Sequence, residues 1–126
     1  MGMVSTREQR RRAARGSRQA LLVTVLALAW ARLWRRPVRF DETAGIFVAV
    51  GVPLGAVRAG TSYAGVYLAR REPDAAMLRH EAVHAEQWAR HGLSFPFRYW
   101  LEELRHRGSR NRFEIEAGLE DGDYAG

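Results

Sequence analysis

The stretch PDAAMLRHEAVHAEQWARHG, residues 73–92, decides how this chain folds. Asp74, directly after Pro73, carries a side chain that accepts from the first unpaired amides of a helix, and Gly92 is the residue type that ends one. Met77, Val83 and Trp88 supply apolar anchoring between them. The spacing predicts a helix from Asp74 to about His91. On it His80 and His84, four residues apart, stand one above the other with their Cβ atoms about 6 Å apart. Glu81 is offset from His80 by about 100° round the helix, beside the histidine stripe and outside it.

Two imidazoles at this separation offer two nitrogens to one ion, and the pattern His-Glu-x-x-His is that of a helix binding a single zinc. A metal held there lowers the pKa of a coordinated water toward ~7, and Glu81 is placed to take the proton as general base. The competing reading is a surface helix whose His and Glu face water. The chain has no cysteine. Disulfides and cysteine-ligated zinc or iron–sulfur sites are therefore excluded, and any metal must sit on His, Asp or Glu.

A third ligand has to come from another element. His91 lies seven residues beyond His84, ~10 Å along the axis and too far to share one ion. Two acids in Asn111-Arg112-Phe113-Glu114-Ile115-Glu116-Ala117 are candidates. Asn111-x-x-Glu114 has the spacing of a capping box, which gives Glu114 a competing structural task, whereas Glu116 has none. Spacing leaves both open. Gln87, close to the face of His84, reads either as a hydrogen-bonding partner of the site or as an exposed helix residue.

Working outward, Ser94 is the expected cap of a helix over residues 95–107 ended by Gly108, and Asn111 the cap of a third over 112–120. Residues 121–126 read as a loose tail. Tyr99 and Trp100 read as core. Toward the N-terminus, β-branched runs at 46–50, 54–58 and 63–69 are separated by Gly51, Pro53, Gly60 and Thr61-Ser62, which predicts a small antiparallel sheet or hairpin. The 63–69 segment is the expected strand edge for an extended peptide, and Tyr63 and Tyr67 are candidate hydrogen-bond donors on the strand side.

The 126 residues amount to one domain, and 47% hydrophobic with 27% charged residues is a globular balance. The net charge of +6 is unevenly spread. Residues 1–39 hold ten arginines against Glu8 alone, whereas 40–126 hold ten against thirteen acids. Residues 1–18 therefore read as a disordered basic arm. No aromatic residue interleaves with its arginines to stack on bases, which argues against nucleic acid.

Residues 19–36 open with an uncharged run from Gln19 to Ala31, shorter than the ~20 residues that cross a bilayer. A signal peptide is the competing reading, with Ala27-Leu28-Ala29 as cleavage pattern, but Arg32, Arg35, Arg36 and Arg39 follow at once and oppose export. The favoured reading is a helix packed on the domain or lying at a membrane surface, with Trp30, Trp34 and the arginines at the interface. The expected location is cytoplasmic, with association with a membrane surface through residues 1–36 and export by a signal peptide as the open alternatives.

The stretch His80-Glu81-Ala82-Val83-His84-Ala85-Glu86-Gln87, followed by Phe113-Glu114-Ile115-Glu116-Ala117, resembles small bacterial gluzincin-like proteins with a His-Glu-x-x-His-x-x-Gln helix and a later Phe-Glu-x-Glu-Ala helix. The second segment is also similar to the Glu-x-x-Ala-Asp of membrane-embedded CAAX-protease-like metallopeptidases, whose first Glu binds zinc. The resemblance implies Glu114 as third ligand. It matches Ala117 and departs at Gly118, where an Asp partner for a ligand histidine is expected.

The expected architecture is an α+β, zincin-like minidomain: an N-terminal helix over 19–36, then a metal-binding domain over 40–120 made of a small antiparallel sheet or hairpin and three helices including that of His80. The expected function is zinc-dependent peptide or protein hydrolysis, with one Zn2+ on His80, His84 and Glu114 and with Glu81 as base. The alternative is a non-catalytic metal-binding or interaction module with the same fold.

Overall fold

The computed structural model describes residues 6–52, 60–107 and 110–118. Two helices, α1 (Arg7–Ala13) and α2 (Arg18–Leu33), precede strands β1 (Val38–Asp41), β2 (Ile46–Val50), β3 (Gly60–Tyr63) and β4 (Val66–Ala69). Helix α3 (Ala75–His91), a 3-10 turn at Gly92–Ser94, α4 (Phe95–Arg105) and α5 (Arg112–Ala117) follow. The class is mixed α and β, as expected. The run expected at 54–58 and the tail lie outside the described residues.

The sheet is mixed and not antiparallel. Its order is β1-β2-β4-β3, with β2 and β4 parallel and the other two pairs antiparallel. The expected single strand over 63–69 is broken at Ala64-Gly65, where the chain turns back. Composition explains the order. Val66-Tyr67-Leu68-Ala69 is apolar on both faces and fully buried, so β4 takes a central place, while the polar Gly60-Thr61-Ser62-Tyr63 is half-buried and takes the edge.

Side chains alternate between the faces of the central strands. Phe47, Ala49, Val66 and Leu68 pack with Ala27, Leu28 and Ala31 of α2. Ile46, Val48, Tyr67 and Ala69 pack with Ala85, Met77 and Leu78 of α3. The sheet is thus a middle layer, and its α3 face carries the site. Asp74 caps α3 as expected, its Oδ1 accepting from Met77 N at 2.9 Å. Ser94 makes no side-chain cap; its hydroxyl donates to His91 O instead.

Residues 7–13, expected to be part of a disordered arm, are helical. Thr6 and Gln9 form a capping box, and Ala13 and Ala14 are buried. Two arginines that composition alone assigns to solvent have partners: Arg12 pairs with Glu42 at 2.7 Å, and Arg15 donates to the carbonyls of Ala44 and Gly45. Together they fasten α1 to the β1–β2 turn. The apolar segment after it packs on the sheet through small side chains, Ala20, Thr24, Ala27 and Ala31, with Leu28. Among the described residues no helix is long and apolar enough to cross a membrane.

The β3–β4 turn is where both N-terminal helices grip the sheet. The Thr24 hydroxyl donates to Ala20 O at 2.8 Å and accepts from Gly65 N at 3.1 Å, while Gly65 O accepts from Phe47 N at 2.8 Å. A Cβ at Gly65 would lie 2.4 Å from Ala13 Cβ and 2.6 Å from its carbonyl. Gly65→Ala should therefore destabilise the fold by about 1–3 kcal/mol, read as a lowered urea midpoint with unchanged m-value.

Candidate metal centre

Helix α3 places His80 and His84 on its inner face, and α5 packs against that face and brings Glu114 to them. All three are buried. His80 Nε2 and His84 Nε2 lie 3.1 Å apart, and Glu114 Oε1 is 2.9 Å from the first and 3.1 Å from the second. These are the three residues expected from the sequence and its resemblance. Glu116 is not among them.

The far side of each imidazole fixes its tautomer. His80 Nδ1 meets the carbonyl of Gly118 at 2.8 Å, and a carbonyl only accepts, so Nδ1 carries the hydrogen. Gln87 donates from Nε2 to Phe113 O (2.9 Å) and Glu116 Oε1 (2.7 Å), which leaves its Oε1 to accept from His84 Nδ1 at 2.8 Å. In the neutral rings both Nε2 atoms therefore turn lone pairs toward Glu114 Oε1. Three acceptors converge with no donor among them. Such an arrangement holds together only around a cation, a metal ion or a proton.

The edges of the triangle fit a metal. Bonds of ~2.0–2.2 Å in a tetrahedral shell place ligand atoms ~3.3 Å apart, and the observed edges are 2.9–3.1 Å. The donor set of two nitrogens and one carboxylate oxygen leaves room for a fourth ligand. The buried group His80, His84 and Glu114 could thus hold a metal ion.

The electrostatics describe the same competition with the proton filling the place. Burial alone would lower His84, but its hydrogen bond to Glu114 and the charges of Glu81 and Glu114 outweigh that and raise it to about 9. Glu114 is opposed by burial, yet its contacts with His80 and His84 and the hydrogen bond from the Tyr99 hydroxyl hold its carboxyl far below the usual range. Glu81 is raised, mainly by burial and against the pull of His84 and of Ser62, whose Oγ donates to Glu81 Oε1 at 2.6 Å. Glu81 is thus buried beside the triangle without entering it.

Several expectations are corrected. Glu114 does not close a capping box; Asn111 Oδ1 accepts from Phe113 N at 2.9 Å, and the Glu114 carboxylate turns inward. Tyr99 is no mere core residue, since it donates to Glu114 Oε2. Trp100 is exposed. The 63–69 segment is not the strand edge: most of it is central β4, and the edge is β3, which contacts α3. Tyr67 is buried there, its phenol pushed above the usual range by burial and by Glu81. His91 stays apart, stacked on Phe95.

Ser62 and the Gly118 carbonyl carried no sequence signal. Tyr99 did, through the inward stripe of Phe95, Tyr99 and Glu103 on α4. No protein-family model, curated protein or solved structure matches the chain.

Two outcomes follow from the geometry. Glu114→Gln should weaken metal binding by more than ~100-fold, and Glu116→Gln by only ~10-fold through Gln87, measured by competition with a chromogenic chelator. Metal uptake at pH 7.5 should release about one proton, because His84, raised to about 9, is protonated in the metal-free protein. Calorimetry in buffers of different ionisation heat reads that proton, and the release should fade as pH rises past the raised value. The stabilisation that this proton gives the metal-free fold is complete below about pH 6.5 and is lost as pH climbs through the folded value.

Proposed function

We propose that this protein is a zinc-dependent hydrolase of peptide bonds with a zincin-like site, one Zn2+ being held by His80, His84 and Glu114. The observation that carries the reading is the set of three converging lone pairs, with a buried carboxylate, Glu81, kept out of the set and next to it. Nitrogen and carboxylate donors without sulfur, three in number, are the ligand class of catalytic zinc. The resemblance of residues 80–87 and 113–117 to gluzincin-like proteins points the same way.

Zinc when bound supplies Lewis acidity toward a water and a carbonyl oxygen. The protein's residues do the rest. Glu81 takes and holds a proton, and its raised pKa suits a base that must later give the proton back. Ser62 fixes one oxygen of that carboxylate and leaves the other outside this hydrogen bond. Tyr99, the Gly118 carbonyl and Gln87 keep the three ligands in their rotamers. Edge strand β3, which carries Ser62, offers backbone groups to an extended substrate.

Purified protein should contain about one zinc per chain, and His80→Ala and His84→Ala should each lose it. Glu81→Gln should retain the metal and lower hydrolysis of a broad peptide library by ~100-fold or more. Equal activity of Glu81→Gln and wild type would favour a non-catalytic metal-binding module. Ser62→Ala removes a bond that lowers the Glu81 pKa, so the acid limb of the rate profile should move to higher pH.

A further inference from the structure

Helix α2 is built inside out. Its buried face is made mainly of small residues, Ala20, Thr24, Ala27 and Ala31, while Leu22, Val25, Leu26 and Leu33 point outward, Leu33 being 71% exposed. Helix α4 repeats the pattern. Only Phe95 is buried on it, and Phe97 (74% exposed), Trp100, Leu101 and Leu104 recur at helical spacing on the outside, continuing Leu93. The start of α2 meets the turn that leads into α4, where the Gln19 side chain, one turn before Leu22, accepts from Leu93 N at 2.8 Å. A soluble helix normally buries its large apolar residues. Nine such side chains, each more than two-fifths exposed, make an apolar surface on the order of several hundred Å2 or more.

Charge says what covers it. Arg18 stands at one end of the α2 stripe and Arg32, Arg35 and Arg36 at the other, and no residue from 9 to 40 is acidic. The acids of α4 are turned away from its stripe, Glu102 toward Arg112 and Glu103 to Asn111. Trp34 and Trp100 sit among the exposed residues. Apolar side chains bordered by arginine and tryptophan match the boundary between acyl chains and anionic headgroups. Neither helix can cross a bilayer, and α2 is held to the sheet by its other face. We propose that the outer faces of α2 and α4 form one docking surface by which the folded domain lies on an anionic membrane.

The test is flotation of the full chain with vesicles of phosphatidylcholine alone and of phosphatidylcholine with about 30% phosphatidylglycerol. Binding is expected on the anionic vesicles and should weaken as salt rises from about 0.1 to about 0.5 M. Leu26→Ser with Leu33→Ser, and separately Phe97→Ser with Trp100→Ser, should each reduce it about tenfold or more while leaving the circular-dichroism melting curve unchanged. His80→Ala should float like wild type, so the outcome is independent of the metal reading. Failure of wild type to float, or flotation that either double variant leaves intact, overturns the proposal. So does a dimer in solution that either double variant dissociates without vesicle binding, which would make the surface an interface between copies of the chain.

Discussion

Three lone pairs aimed at one point are the constraint around which the helical half of this protein is arranged. Without a cation between them, a metal ion or a proton, His80 Nε2, His84 Nε2 and Glu114 Oε1 repel one another in their buried place. Each partner outside the triangle makes the repulsion harder to relax: Gly118 and Gln87 deny the rings their other tautomers, and Tyr99 holds the far oxygen of Glu114. The energy of the α3–α5 contact is therefore tied to the cation that fills the gap. A helix of six residues such as α5 has little stability of its own. Its place depends on Phe113 and Ala117 in the core and on the charge it carries to α3.

How much of this was legible in the sequence follows from whether a feature is local. Helix α3, its Asp74 cap, its end at Gly92 and the shared face of His80 and His84 all follow from spacing within one segment. So does the strand at 46–50. Glu114 was legible only through resemblance, because spacing cannot say which of two acids on a short helix turns inward. The capping-box pattern even pointed elsewhere, and it gave way because a buried carboxylate between two imidazoles is bound more strongly than one at an exposed helix end.

Non-local features were hidden. The parallel pairing of β2 and β4 depends on which of two neighbouring strands is more apolar, and the turn at Ala64-Gly65 could be found only by noticing that Thr61 and Ser62 make a strand as well as a break. Helix α1 was obscured by its charge: Arg12 and Arg15 look like solvent-facing residues until the β1–β2 turn supplies Glu42 and two carbonyls. Ser62 lies nineteen residues before its partner Glu81, with no periodicity to link them.

Gly118 shows what a missing side chain leaves behind. The resemblance calls for an aspartate after Ala117, and the chain instead bends at φ 92° and ψ 107°, a left-handed conformation natural to glycine, and turns its own carbonyl to His80. A carbonyl brings a dipole where a carboxylate would bring a full charge. Were a divalent ion held here, Glu114 would be its one anionic ligand, and the ion would keep a surplus of positive charge. That surplus would fall first on Glu81, the buried carboxylate beside the triangle, so the carbonyl at Gly118 would leave more of the ion's charge to be met from the other side of the site.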